Sequence, residues 1–110
     1  MHLFFDTETT GLPRNWKAPV TDVNNWPRII QIGCILSDKG NCIDTGSFII
    51  KPENFMIPSE ASRVHGITTK RAITEGVDLE NVLGDIVLRM LAYHLRWIKL
   101  KSTWPVALMS

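Results

Sequence analysis

Apolar and β-branched positions predict three strands in the first half of the chain. Residues 3–5 form an apolar run that leads into two carboxylates and a glycine turn, and its two apolar faces are typical of a strand buried inside a sheet. Residues 28–37 and 42–51 form two further runs bounded by turn-prone residues. Asp38, Lys39 and Gly40 between them predict a three-residue hairpin turn. The pattern therefore predicts a three-stranded antiparallel meander.

Short helices are predicted after the third run. Ser59 is expected to cap a helix that follows Pro58, and Gly66 is expected to end that helix in the left-handed conformation. Residues 69–74 are expected to add another helical turn before Gly76.

From Asp78, the expected N-cap, the spacing predicts a long amphipathic helix packed on the sheet. Its apolar positions recur every three or four residues: Leu79, Val82, Leu83, Ile86, Val87, Met90, Leu91, Leu95 and Ile98. Arg89, Arg96 and Lys99 are expected on or near the solvent-facing side. The alternative is a basic helix, with Trp97 at its flank, that lies on a membrane surface or in the groove of a partner protein.

Residues 13–27 lack periodicity, contain three prolines and are predicted to form a loop. Trp16 and Trp26 are expected to fold back and hold this loop on the domain. Alternatively, their indoles form a rim beside a binding groove, where they could stack on nucleobases.

Composition changes this picture little. With 110 residues, 45% of them hydrophobic and 21% charged, the chain is expected to form one ordinary globular domain. Cys34 and Cys42 fit neither a metal-binding spacing nor a disulfide framework, and two reduced thiols on strands are expected. No signal peptide or membrane span is evident, so a cytoplasmic location is expected.

Charge is distributed unevenly along the chain. Residues 1–85 carry eight basic and eleven acidic residues, a balance of −3, whereas residues 86–110 carry four basic residues and no acidic one, a balance of +4. This contrast indicates a division between residues 1–85 and an atypical basic tail, 86–110, that continues the last helix.

Asp6 and Glu8 are the candidate chemical groups. Side chains two apart on a strand project to the same side, so the two carboxylates would repel each other unless a cation lies between them. Mg²⁺ and Mn²⁺ prefer such oxygen ligands. A solvated turn at the end of a strand is the alternative for these two residues taken alone.

The longer motif F-F-D-T-E-T-T-G-L at residues 4–12 resembles the first catalytic motif of the DEDD (DnaQ-like) 3′–5′ exonucleases, which include the epsilon subunit of bacterial DNA polymerase III. W-P-R-I-I-Q-I-G at residues 26–33 resembles the second strand of that family, and A-S-R-V-H-G-I at residues 61–67 resembles another family segment. The resemblance covers about residues 2–85. It implies an α/β, ribonuclease-H-like fold, here truncated to the meander, short helices and one long amphipathic helix.

The resemblance also implies residue roles. Asp6 would bridge two Mg²⁺ or Mn²⁺ ions, and Glu8 would hold the ion that activates water for hydrolysis of the 3′-terminal phosphodiester. Other residues would contact the terminal nucleotide, with a leucine wedged under its base: Thr7, Thr9, Thr10, Gly11, Leu12, His65 and Ile67. The implied partners are a single-stranded DNA 3′ end, or RNA, and a DNA polymerase.

Two further family motifs, H-N-x-x-F-D and H-x-A-x-x-D, are absent, and no acidic residue follows Asp85. We therefore expect an incomplete and inactive exonuclease, with a tail that is either altered or a true divergence. A non-catalytic module that binds single-stranded nucleic acid or another protein is the alternative. Without later strands, the first strand would also have an open edge, through which the chain is expected to self-associate.

Overall fold

Three strands pair in chain order within residues 1–95, the part of the chain that the computed structural model describes. They are β1 (His2–Thr9), β2 (Ile29–Asp38) and β3 (Asn41–Ile49), and both pairings are antiparallel. The predicted meander is confirmed. The buried side chains alternate along β2 because strand side chains point to opposite faces; they are Ile30, Ile32, Cys34 and Leu36.

The β2–β3 connection is shorter than predicted. Lys39 and Gly40 both have positive φ, 52° and 79°, and Asp38 pairs directly with Asn41. Positive φ at both central residues is the signature of a two-residue turn whose twist matches that of the strands. The predicted three-residue connection is therefore wrong.

The first strand lies at the edge of the sheet and is not buried as predicted. Among the described residues it pairs only with β2, and the side chains of Phe4 and Phe5 are 60% and 68% exposed. Only Leu3 packs against the core. The prediction failed because the apolar character of both faces does not reveal whether a second neighbouring strand is present.

Three helices follow the sheet: α1 (Ser59–His65), α2 (Thr69–Glu75) and α3 (Leu79–Leu95). Ser59 lies inside α1 and does not cap it; Pro58 is the N-cap, and its carbonyl accepts the N–H of Ser62. Gly66 ends α1 with φ 76°, as predicted. The hydroxyl of Thr68 caps α2 by accepting the N–H of Arg71 at 3.1 Å.

The long helix α3 begins after Asp78, whose carboxylate accepts the N–H of Glu80 at 3.3 Å. The predicted cap is therefore confirmed. Val82 and Ile86 are buried against Ile32 and Phe48 of the sheet. Of the other stripe residues up to Leu91, none is buried, and the most exposed are Leu83, Val87 and Leu91. No helix within residues 1–95 is long and apolar enough to cross a membrane.

Arg89 is buried, contrary to the prediction that it lies on or near the open side of the helix. Its side chain is 1% exposed, and its guanidinium joins Asp85 of α3 to Asp44 of β3. The two carboxylates explain the difference because they compensate a charge that burial alone would exclude. Arg96, Lys99, Trp97 and Ile98 lie outside the described residues.

The loop between β1 and β2 is held by only one of its tryptophans. Nε1 of Trp26 donates to the carbonyl of Pro19 at 2.8 Å, whereas Trp16 is 71% exposed. The prediction that both indoles fold back is therefore wrong for Trp16. The side chain of Asn25 is buried and binds the backbone of Asn15 through both its oxygen and its nitrogen. An amide can satisfy a backbone donor and a backbone acceptor at once, as an indole cannot.

Candidate metal and nucleic-acid site

Asp6 and Glu8 point to the open face of the sheet, away from the helices. In the β1–β2 register Asp6 lies opposite Gly33, and Glu8 lies opposite Gln31. Because opposite residues in an antiparallel pair share a face, these side chains form one row. They line a shallow pocket of about 160 Å³ whose remaining lining residues are Thr7 and Ser47.

The floor of this pocket is open because Gly33 has no side chain. A Cβ placed on Gly33 would meet no atom within 4 Å, so an ion or a phosphate oxygen could approach the sheet there. One carboxylate oxygen of Asp6 accepts the N–H of Thr7 at 3.0 Å. Nε2 of Gln31 donates to the hydroxyl of Ser47 at 3.4 Å, so the amide oxygen of Gln31 takes no part in this hydrogen bond.

The donor chemistry of the pocket fits one hard divalent cation. Carboxylate, amide and hydroxyl oxygens are the ligands that Mg²⁺ and Mn²⁺ take in proteins. Within residues 1–95, however, no group of three or more histidine, cysteine, aspartate or glutamate side chains is arranged to hold a metal ion. Two carboxylates balance the charge of one divalent cation and not of two.

After Glu8 the register shifts, and the chain turns away from the sheet. Oγ1 of Thr9 donates to the carbonyl of Gly11 at 3.1 Å across a turn in which Gly11 has φ 139°. The N–H of Thr10 donates to the carbonyl of Arg28, and the hydroxyl of Thr10 accepts the N–H of Arg28. Leu12 then projects into solvent with 81% of its surface exposed.

A second, larger groove of about 320 Å³ begins where this turn ends. It lies between the β1–β2 loop and the segment that leads to α1. The lining residues are Thr10, Leu12, Arg14, Val23, Asn24, Asn25, Trp26, Pro27, Arg28, Asn54, Phe55, Met56 and Pro58. The guanidinium carbon of Arg28 lies 4.7 Å from the centroid of the Phe55 ring.

His65 and Ile67, which the resemblance also implicated, line neither pocket. Ile67 is 2% exposed and belongs to the core cluster that joins β2 to the short helices. Nδ1 of His65 accepts the N–H of Ile67 at 3.1 Å, and Nε2 is buried with no hydrogen-bond partner in the described part of the chain. In this structure His65 shapes the end of α1, and Ile67 fills the core.

The thiol of Cys34 offers no second reactive centre. Burial, and after it the nearby carboxylates of Asp44 and Asp85, together raise the pKa of this thiol to about 11. The thiol therefore stays protonated at neutral pH and is a poor nucleophile. Cys42 is exposed, and neither cysteine forms a disulfide, as predicted.

Sequence reasoning did not single out Arg28, Phe55 or Met56. The only available signal was a basic residue directly before an apolar strand, and that arrangement is common. The groove depends on the pairing of Thr10 with Arg28, which brings together segments that are 18 residues apart.

Comparison with protein families matches residues 3–86 to the family described as an exonuclease, RNase T. Among solved structures, the chain is similar to E. coli exonuclease I bound to a dT13 oligonucleotide (24% identity, TM-score 0.56) or to a dA16 oligonucleotide (24% identity, TM-score 0.55). Both alignments cover 81% of this chain and 17% of the solved chain. A product-bound exonuclease I is similar at 25% identity and a TM-score of 0.54, over 81% of this chain and 18% of that chain.

The chain thus spans less than a fifth of the length of these solved proteins. No curated protein sequence matches it. The matches confirm the resemblance to exonucleases and the truncated, ribonuclease-H-like α/β fold predicted from the sequence.

Proposed function

This chain belongs to the RNase T exonuclease family, and from that premise we propose that it carries the first half of a metal-dependent 3′–5′ exonuclease site. The observation that supports the proposal is the row formed by Asp6 and Glu8 on the open face of the sheet, above the side-chain-free position of Gly33. Their carboxylates would hold one Mg²⁺ or Mn²⁺ ion, assisted by oxygens of Gln31 and Ser47. The bound ion would supply Lewis acidity toward a phosphodiester and lower the pKa of a bound water.

In this proposal the residues of the chain bind the cation and orient the nucleic acid, but they do not complete hydrolysis of the phosphodiester. The pocket contains neither a third carboxylate nor a histidine, and hydrolysis needs a group that takes a proton from the attacking water. The sequence after Asp85 supplies no acid. We therefore propose that the 110-residue chain binds the metal and the nucleic acid without releasing mononucleotides.

A single-stranded 3′ end is the proposed ligand. Exonuclease I in the similar structures holds dT13 and dA16 oligonucleotides, and these ligands support single-stranded DNA for this chain too. The turn after β1 would receive the terminal nucleotide. The hydroxyls of Thr9 and Thr10 and the backbone of Thr7 and Gly11 would meet its sugar and phosphate, and the exposed Leu12 would lie against its base. A comparison of DNA and RNA oligonucleotides of one sequence would test the preference.

Removal of the two carboxylates is expected to weaken cation binding strongly. Wild-type chain titrated with Mn²⁺ should show one weak site by electron paramagnetic resonance. The Asp6→Asn, Glu8→Gln variant should bind at least about tenfold more weakly, since even the loss of a hydrogen-bonding partner of a metal ligand costs 10- to 100-fold. Glu60→Gln, which removes an exposed carboxylate from α1, is the matched control. Equal Mn²⁺ binding by the wild type and the double variant would contradict the proposal.

The open edge of β1 is expected to recruit a second copy of the chain. Phe4 and Phe5 are exposed on a strand that has only one neighbour in the described residues, and such edges pair with other chains. Sedimentation velocity should show dimers or larger species that increase with concentration. Phe5→Lys should weaken this association about tenfold or more, because edge lysines oppose pairing. Val64→Lys, at an 83% exposed position of α1, should leave it unchanged; a wild type that is monomeric at every concentration would refute the expectation.

A further inference from the structure

One apolar residue of β1 lies on the helix side of the sheet without being covered. Phe5 is opposite the buried Cys34 in the β1–β2 register, and opposite residues share a face, so the Phe5 ring points toward the layer of helices. The ring is nevertheless 68% exposed, because neither α3 nor a second neighbouring strand in the described residues covers it. Phe5 therefore occupies a core position whose cover is missing.

The helix beside this strand is apolar on its exposed flank. Leu83, Val87 and Leu91, spaced by four residues on one stripe of α3, form this helix flank, and all three are exposed. Val87 and Leu91 line a pocket of about 430 Å³ together with Met90 and Met1. Because Met1 directly precedes β1, the pocket joins the helix flank to the free edge of the strand, and the two form one apolar surface.

The residues of β1 favour one register for pairing with a second copy of the chain. A two-fold axis perpendicular to the sheet makes the two β1 strands antiparallel, and it must pass beside one residue of β1 because opposite residues share a face. A register centred on Phe5 pairs residues 2–8 and sets Glu8 opposite His2 of the second copy. A register centred on Asp6 sets two like charges opposite each other, which is destabilising. A register centred on Phe4 pairs only residues 2–6.

We infer that a second copy of this chain binds the edge of β1 in the register centred on Phe5 and that its His2 joins the cation pocket. The two Phe5 rings would then cover each other between the helix flanks of both copies. On the open face, His2 of the second copy would lie opposite Glu8 and diagonal to Asp6. The imidazole of His2 already stacks on the ring of Phe4, with centroids 6.3 Å apart, so it lies along this face in the single chain.

The pairing would supply what the single chain lacks at this pocket. The described residues of one copy contain no group of three histidine, cysteine, aspartate or glutamate side chains arranged to hold a metal ion. Histidine is the commonest metal ligand among side chains, and His2 of the second copy would be the third member beside Asp6 and Glu8. This role of His2 rests on the proposed function of the two carboxylates, whereas the register does not.

Cysteine crosslinking of the full 110-residue chain in EDTA tests the register. Phe5→Cys, with Phe4→Cys and Thr7→Cys as controls, is made in a Cys42→Ser background, since Cys42 is the exposed native thiol and Cys34 is buried. Phe5→Cys should form a disulfide-linked dimer about tenfold faster than either control. Directly opposite residues lie about 4.5–5.5 Å apart, whereas the nearest diagonal ones lie about 7–8 Å apart, beyond the reach of a disulfide. Faster crosslinking of either control would overturn the register.

A second crosslink keeps both Phe5 rings in place. A mixture of His2→Cys and Glu8→Cys chains in the same background should form mixed disulfide dimers faster than either chain forms its own, because these two positions are opposite only in this register. This mixture decides the register if loss of the Phe5 ring prevents association. No preference for the mixed dimer would overturn the placement of His2 beside Glu8.

The helix flank is tested by sedimentation velocity. Val87→Glu should weaken the dimer about tenfold or more, because pairing would bury an unpaired charge at two symmetry-related positions. Val64→Glu, at an exposed position of α1, is the matched control and should leave the dimer unchanged. An equal effect of the two variants would overturn the contribution of α3, and a wild type that stays monomeric would assign the edge to a strand of a different protein.

The response of the dimer to Mn²⁺ tests the role of His2. Mn²⁺ should lower the dimer Kd of the wild type about tenfold, because an ion that binds the paired state more tightly stabilises it. His2→Ala should lose this response, whatever its affinity in EDTA. A response retained by His2→Ala, or a wild type that binds Mn²⁺ with unchanged dimer affinity, would overturn the role of His2. A wild type that crosslinks in the expected register but binds no Mn²⁺ would instead contradict the proposed metal pair.

Discussion

Arg89→Ala is expected to lower the free energy of unfolding by about 3–5 kcal/mol, the usual cost of removing one partner from a buried ion pair. Nη1 of Arg89 lies 3.1 Å from the carboxylate of Asp44, and Nε lies 3.0 Å from that of Asp85. The substitution would leave two mostly buried carboxylates facing each other with no cation between them. Urea denaturation followed by circular dichroism measures the loss.

Arg89 also joins two elements that are distant in sequence. Its contact with Asp44 fastens α3 to β3 across 45 positions, and the hydroxyl of Tyr93 contacts the same carboxylate at 3.3 Å. Burial and Asp44 raise the pKa of Tyr93, so its hydroxyl remains a donor to well above neutral pH. Arg89→Lys should lose less stability than Arg89→Ala because lysine keeps the positive charge. It should still be less stable than the wild type because lysine lacks the planar guanidinium that contacts Asp44 and Asp85 at once. A loss below about 1 kcal/mol in Arg89→Ala, as expected for an exposed ion pair, would contradict the buried network.

Gly76→Ala is expected to destabilise the fold by about 3 kcal/mol, at the upper end of the usual cost of overpacking. An added Cβ would overlap the carbonyl oxygen of Ala72 and would lie 2.6 Å from the backbone N and 2.7 Å from Cα of Lys51. All three atoms are backbone, so no side chain can rotate away. In the same segment the N–H of Lys51 donates to the carbonyl of Val77, and the N–H of Val77 donates to the carbonyl of Ile49, which joins the end of β3 to the start of α3.

Gly84→Ala is the matched control for Gly76→Ala. Gly84 is an exposed position of α3 where an added Cβ would meet no atom within 4 Å. Alanine in a helix interior is favoured over glycine by up to about 1 kcal/mol, so this variant should be more stable than the wild type. Thermal melting of both variants separates the two effects. If Gly76→Ala has the same melting temperature as the wild type, the close approach of Gly76 to the backbone of Ala72 and Lys51 is refuted.

Local pattern was sufficient for the meander, both short helices and α3, because each depends on spacing within one segment. Two local details were wrong, the length of the β2–β3 turn and the residue that caps α1; the larger differences arise where a distant partner decides the outcome. Arg89 lies seven positions after Val82, on the buried side of α3, but its charge suggested an exposed site because Asp44 is remote in sequence. The edge position of β1 likewise depends on the neighbouring strands and not on its own composition.

One part of the candidate site could be predicted from local sequence, and another part could not. Strand periodicity alone places Asp6 and Glu8 on one side, and the structure places them there, opposite Gln31 and Gly33. The groove could not be predicted because its walls come from residues 10–28 and 54–58, which meet only in the folded chain. The nucleotide contacts that the family resemblance suggested for His65 and Ile67 stay a prediction; in this structure Ile67 lies in the core.

The two connections of the sheet imply an order of folding. Lys39 and Gly40 alone link β2 to β3, while the pairing of β1 must close the 18-residue separation between Thr10 and Arg28. Loop-closure entropy grows with loop length, so the hairpin forms as a local unit and β1 joins it later. Of the three described strands, the one that carries both carboxylates is thus expected to pair last, so the proposed cation-binding face forms only when the β2–β3 hairpin is already in place.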